Sequence, residues 1–93
     1  MRIETTTEFR AKLEKQIQYI SLDKPKAAKN FKSAIFSQLK KLKEMPYKNK
    51  QSKFFDDKNI RELIYKGYSI IYVVEKERIV VFGFHKWENT LGL

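Results

Sequence analysis

His85 is the only histidine in the chain, and histidine is the one side chain that titrates near neutrality unperturbed. It follows Val80-Val81-Phe82-Gly83-Phe84 and precedes Lys86-Trp87. An imidazole there can act as a general acid or base, or it can satisfy a main-chain carbonyl at a strand end. Spacing alone favours the structural role. Arg61 is the second candidate, the only arginine entering the apolar segments from the polar stretch before them. Its guanidinium can clamp an RNA phosphate or a partner's carboxylate. Paired with Glu62, Glu75 or a main-chain carbonyl, it is structural instead. Lys48, Lys50 and Lys53 add cations to the same polar stretch. Trp87 is either a cap over a sheet edge or an exposed contact. Tyrosines flanked by lysines suit stacking on bases, although tyrosine is also an ordinary strand residue.

Most other chemistries lack their residues. There is no cysteine, so thiol catalysis, disulfides and cysteine metal sites are excluded, and one histidine leaves no multi-histidine metal centre. Gly67, Gly83 and Gly92, the only glycines, form no phosphate-binding loop. Asp56-Asp57 reads as a turn, and Glu75 and Glu77 flank a hairpin, so no carboxylate pair suggests acid/base work. A chain of 93 residues holds one core and no large enclosed reaction chamber. The expectation is therefore no cofactor, no metal and no small-molecule substrate. No apolar run approaches a membrane span and the N-terminus lacks a signal peptide, so the expected location is cytoplasmic, without a membrane partner.

Charge is the strongest compositional signal. Twenty Lys+Arg against eleven Asp+Glu give +9. Residues 1–58 hold fifteen basic and seven acidic side chains, or +8, and residues 59–93 hold five and four, or +1. Seven lysines and no acid lie between Asp23 and Glu44. Such a run is either a solvated helix face or a docking surface for a polyanion or acidic protein.

The elements that must position these residues follow from periodicity. Residues 1–4 read as a short edge strand. Thr5 and Glu8 have capping-box spacing, and Phe9, Leu13, Ile17 and Ile20 recur at helical spacing, which predicts a helix over 6–22. Asp23 as N-cap and Pro25 in the first turn open a second helix, with Ala28, Phe31, Ile35, Leu39 and Leu42 as its stripe. Pro46 disfavours helix at Met45, so this helix should end near Glu44. The short link predicts an antiparallel helical hairpin. Residues 45–58 form a polar loop, with a short strand around Phe54 and Phe55. Strands then run Ile60–Tyr65, Tyr68–Val74 and Ile79–Phe84, with Lys66-Gly67 as a two-residue turn. Short turns make these three strands an antiparallel meander. The middle strand alternates Tyr68, Ile70, Tyr72 and Val74 on one face with Ile71 and Val73 on the other. One hairpin covers one sheet face, so the opposite face should show partly exposed tyrosines beside the lysine loop. The fold class is α+β: a single β-α-α-β-β-β two-layer domain over 1–93.

An ordered set of residues resembles a known family over nearly the whole chain. It comprises Tyr19-Ile20, Asp23-Lys24-Pro25-Lys26-Ala27-Ala28, Phe31, Leu42, Met45-Pro46, Asn59-Ile60-Arg61-Glu62-Leu63, Gly67-Tyr68, Ile71-Tyr72 and Val80-Val81-Phe82-Gly83-Phe84-His85. The chain resembles the RelE/ParE superfamily of type II toxin–antitoxin toxins, and the Pro25-Lys26-Ala27-Ala28 link is similar to the ParE branch. That branch inhibits DNA gyrase, whereas the RelE branch cleaves messenger RNA on the ribosome. The resemblance implies Arg61, His85 and the loop lysine Lys53 as catalytic candidates if the chain is a nuclease. It implies an acidic antitoxin partner, and Lys26, Lys29, Lys32, Lys40, Lys43, Tyr68, Tyr72, Lys86 and Trp87 as antitoxin- or target-binding candidates. In a gyrase binder the tail Lys86 to Leu93 would be contact surface.

The departures from the family choose between branches. Ser69 stands where the family commonly has arginine after Gly67-Tyr68, the last strand is apolar at Val80, Val81 and Phe82, and no tyrosine follows Tyr72. Metal-free RNA cleavage needs an acid, a base and a stabilised phosphorane. The depleted set favours a non-enzymatic gyrase inhibitor. The alternatives are a ribosome-dependent mRNA endoribonuclease and a degenerate, non-toxic antitoxin-binding module.

Overall fold

A computed structural model of the chain describes residues 1–87. The element order is β1 (Arg2–Thr5), α1 (Thr7–Ser21), α2 (Pro25–Lys41), β2 (Ile60–Tyr65), β3 (Tyr68–Val74) and β4 (Arg78–Lys86). The sheet runs β1-β4-β3-β2. The three-strand meander is antiparallel, as its short turns require, and β1 pairs parallel to β4, so the sheet is mixed. β1 and β2 are the two edges. The helical hairpin between them carries the chain across one sheet face, which is why that face is buried. Phe9, Leu13, Ile35, Leu39 and Leu42 meet Leu63, Ile70, Tyr72, Ile79 and Val81 in one core.

The boundaries differ from expectation for local reasons. Thr5 is claimed by β1, where it lies beside Val81, so capping passes to Thr6, whose Oγ1 accepts the Phe9 N–H at 3.1 Å. Asp23 is not the second N-cap. The Asp23 and Lys24 N–H groups still bond to Ile20 O, so α1 releases the chain only at Lys24, which precedes Pro25 without a side-chain cap. α2 ends at Lys41. The Lys43 and Glu44 N–H groups then reach back three residues, to Lys40 O and Lys41 O, in a tightened last turn. Phe54 and Phe55 form no strand; the loop's one bridge is Gln51 with Arg61. Lys66 and Gly67 both have positive φ, 42° and 86°, as a type I′ turn demands.

A β-bulge in β4 has the largest consequence. Gly83 lies opposite Ile71 and Val81 opposite Tyr72, leaving Phe82 as the extra residue. The alternation therefore resets, and Val81 and Phe84 both serve the helix side although they lie three positions apart. Phe82 instead packs against Phe55, ring centroids 5.5 Å apart. The sheet face away from the helices is thus not a bare tyrosine platform. Tyr68 and Tyr72 lie on the helix side, and the loop around Ser52–Phe55 covers much of the other. Ile71, Ser69 and Glu62 there are all buried.

Thr6→Ala should cost about 1 kcal/mol of stability and Thr5→Ala a few tenths, read by urea denaturation. A Cβ at Gly83 would lie 2.9 Å from Ile71 Cβ, so Gly83→Ala should destabilise by about 1–3 kcal/mol in the same assay.

Candidate functional site

β2 and β3 place Glu62 beside Ile71 on the face without helices. Two hydroxyls hold its buried carboxylate: Ser52 Oγ donates to Oε1 at 3.1 Å and Ser69 Oγ to Oε2 at 2.9 Å. Each serine also receives a bond. Phe54 N–H donates to Ser52 Oγ at 3.2 Å, and the Trp87 indole N–H donates to Ser69 Oγ at 2.7 Å. Over this buried polar line sits a cluster drawn from two segments. The Trp87 ring stacks with Phe54 at 6.0 Å and meets the His85 ring edge-on at 4.9 Å, while His85 lies 5.4 Å from Phe54. The Lys53 ammonium rests 3.7 Å above the indole. Lys53, Phe54, His85 and Trp87 are all exposed. The structure therefore unites Lys53, His85 and Trp87, three of the sequence candidates. Phe54, Ser52, Ser69 and Glu62 were missed as site residues. The legible signal was a lone glutamate in an apolar strand.

Arg61 belongs to a different cluster. It lies beside Tyr72, on the helix side of the sheet. Its Nε donates to Lys58 O at 2.9 Å and its Nη1 to Asn49 O at 3.1 Å, and the guanidinium sits 4.9 Å from the centre of the Tyr47 ring. It staples the loop by main-chain carbonyls, one of its sequence-level structural readings. His85 lies opposite Ser69, on the other face. Three residues along and two strands across put the Arg61 and His85 Cα atoms on the order of 14 Å apart. Of the three nuclease candidates, His85 and Lys53 share a cluster and Arg61 lies apart from them on the other face.

Tyr72 is not a contact residue: it is fully buried. Its hydroxyl donates to Pro46 O at 2.7 Å and accepts from Asn49 Nδ2 at 3.1 Å. Burial raises its pKa, against smaller opposite effects of the Asn49 bond and the Arg61 charge. Tyr68 is half-buried, its ring packed on Phe31 and Phe84 and its hydroxyl held by Gln16.

Lys26, Lys29, Lys32, Lys40 and Lys43 are exposed. At helical pitch they occupy an arc of about 120° on α2 and the turn after it. A second basic feature was not foreseen. Among the described residues, the outer edge of β4 is paired only by β1, and only as far as Val81. The Trp87 N–H bonds to Gly67 O, so alternation turns the main-chain groups of Phe84 and Lys86 outward, away from β3. There lies a groove of about 370 Å³ lined by Lys12, Lys15, Gln16, Tyr19, Phe84 and Lys86. Of the expected contact tail, Lys86 and Trp87 are exposed; residues 88–93 lie outside the described residues. Among the described residues no group of three His, Cys, Asp or Glu could hold a metal ion, and no helix is long and apolar enough to cross a membrane.

Residues 3–85 match the family model described as the ParE toxin of type II toxin–antitoxin system, parDE. No curated protein sequence matches the chain. Among solved structures, one described as the chromosomal ParDE TA system from P. aeruginosa aligns with a TM-score of 0.79, covering 95% of this chain and 97% of that chain at 18% identity. At that identity the likeness is one of fold.

Tyr72→Phe should cost about 1 kcal/mol at neutral pH, because Pro46 O and Asn49 lose a partner. The folded Tyr72 pKa lies above the ordinary 10.0, so the stability it contributes is complete below that pH and lost as pH rises through the folded value. Denaturation at neutral pH and at about pH 10.5 should show a steeper alkaline loss in the wild type than in Tyr72→Phe.

Proposed function

This chain belongs to the ParE toxin family of type II toxin–antitoxin systems, and on that premise we propose that it arrests growth by binding DNA gyrase and is silenced by direct binding of a cognate acidic antitoxin. The observation that carries the gyrase-directed reading over RNA cleavage is the separation of Arg61 from His85. They face opposite sides of the sheet, and the Arg61 guanidinium is engaged with the Lys58 and Asn49 carbonyls. A phosphate clamp and a proton-transfer group must converge within hydrogen-bond reach of one substrate. His85 instead joins Lys53, Phe54 and Trp87 in an exposed aromatic and cationic face, which has the character of a protein-contact surface.

Antitoxin binding is supported by charge and by backbone. The lysine arc of α2 suits an acidic segment that is disordered when free. The groove at the open edge of β4 offers outward main-chain groups beside Lys12, Lys15 and Lys86, a setting in which an extended acidic segment can add main-chain bonds to ion pairs.

Purified toxin at micromolar concentration should inhibit DNA supercoiling by gyrase and leave transcripts intact in a translation extract. Growth arrest without any effect on gyrase rejects the proposal. Lys12→Glu with Lys15→Glu should weaken antitoxin binding by about tenfold or more and flatten its salt dependence, measured by titration calorimetry at two ionic strengths.

A further inference from the structure

Proton direction in the line beneath Trp87 leaves little freedom. An ionised carboxylate only accepts, and a serine hydroxyl carries a single proton. Ser69 gives its proton to Glu62 and so meets the indole N–H with a lone pair; Ser52 does the same for the Phe54 N–H. One carboxylate thereby orients two hydroxyls, and each hydroxyl accepts from a different segment: the loop on one side, the end of β4 on the other. The two segments bear Lys53 and Phe54, and His85 and Trp87. Each side chain of the exposed face is thus indexed to Glu62, which is itself only 2% exposed.

We infer that Glu62 is a positioning residue of the target-contact face: through Ser52 and Ser69, its carboxylate fixes the loop and the end of β4 in the register that assembles Lys53, Phe54, His85 and Trp87. The inference rests on the gyrase-directed reading for the identity of the target. A glutamine is the same size but has one acceptor oxygen and one NH2 donor. One serine would then face a donor, and either the loop arm or the Trp87 arm would lose its polarity. Ser69 also acquires a role in place of the arginine that the resemblance implies there. The indole it holds carries the Lys53 ammonium, so a cation returns to this place from the loop.

Trp87 is the only tryptophan, so its emission reports the anchor directly. Glu62→Gln and Ser69→Ala should keep native far-UV circular dichroism yet raise acrylamide quenching of Trp87 by about twofold or more. Glu62→Gln and Trp87→Phe should each weaken gyrase inhibition about tenfold, and the double variant should be little worse than either, because both break one unit. Antitoxin affinity should stay within about twofold in each. Folded variants with wild-type quenching overturn the inference, as does raised quenching with full gyrase inhibition. Should Glu62→Gln fail to fold, Ser69→Ala decides, since it keeps the carboxylate and removes only the link. Raised quenching alongside a wild-type protein that leaves gyrase untouched upholds the anchor and rejects the gyrase-directed reading instead.

Discussion

Glu62 is a carboxylate buried on the side of the sheet that has no helices, with hydroxyls rather than cations as its hydrogen-bond partners. Removing an ionised carboxylate from water costs several kcal/mol unless donors replace the lost hydration. Those donors come from two places distant in sequence, Ser52 in the loop and Ser69 in β3. Both are themselves buried, so the loop must lie flat against the sheet for the line to close. Coverage of this face, the seating of Phe54 and the attachment of Trp87 all depend on that requirement. A short chain with one helical hairpin has no second layer to spare, and a loop tied to a carboxylate takes its place.

The bulge in β4 complements this arrangement. Resetting the alternation at Phe82 lets Val81 and Phe84 both serve the core while Phe82 anchors Phe55 on the opposite face. Gly83 permits the close approach, since Ile71 occupies the space a Cβ would need. One irregularity thus fills the core, holds the loop and presents His85 beside Trp87. Charge is partitioned accordingly. Arg61 is spent on loop carbonyls, whereas the α2 lysines and the groove at the open β4 edge remain turned to solvent. Surfaces of different chemistry result: basic ones on α2 and at the β4 groove, and an aromatic one with a single ammonium over an indole.

Much of this was legible in the residues. Helical stripes, the Lys66-Gly67 turn and the three strands of the meander follow from periods of 3.6 and 2 and from positive φ at glycine, and each appears where those rules place it. The ordered residues of the family resemblance marked the right family. Boundaries were less legible where two elements compete for one residue, as at Thr5 and Asp23. The expectation of exposed tyrosines failed because alternation gives the two faces of a strand without saying which one the helices cover. Tyr72 went inside, its hydroxyl satisfied by Pro46 O and Asn49.

Local sequence rules determined the helices, the meander and an excess of positive charge, because propensity, turn chemistry and net charge act between near neighbours or on the whole chain at once. Tertiary structure alone decided which candidates meet. Arg61 and His85 part because strand pairing assigns them opposite faces, and Lys53 meets Trp87 because a buried carboxylate draws together segments more than thirty residues apart. Register and burial are properties of the assembled sheet, and no spacing within a single segment contains them.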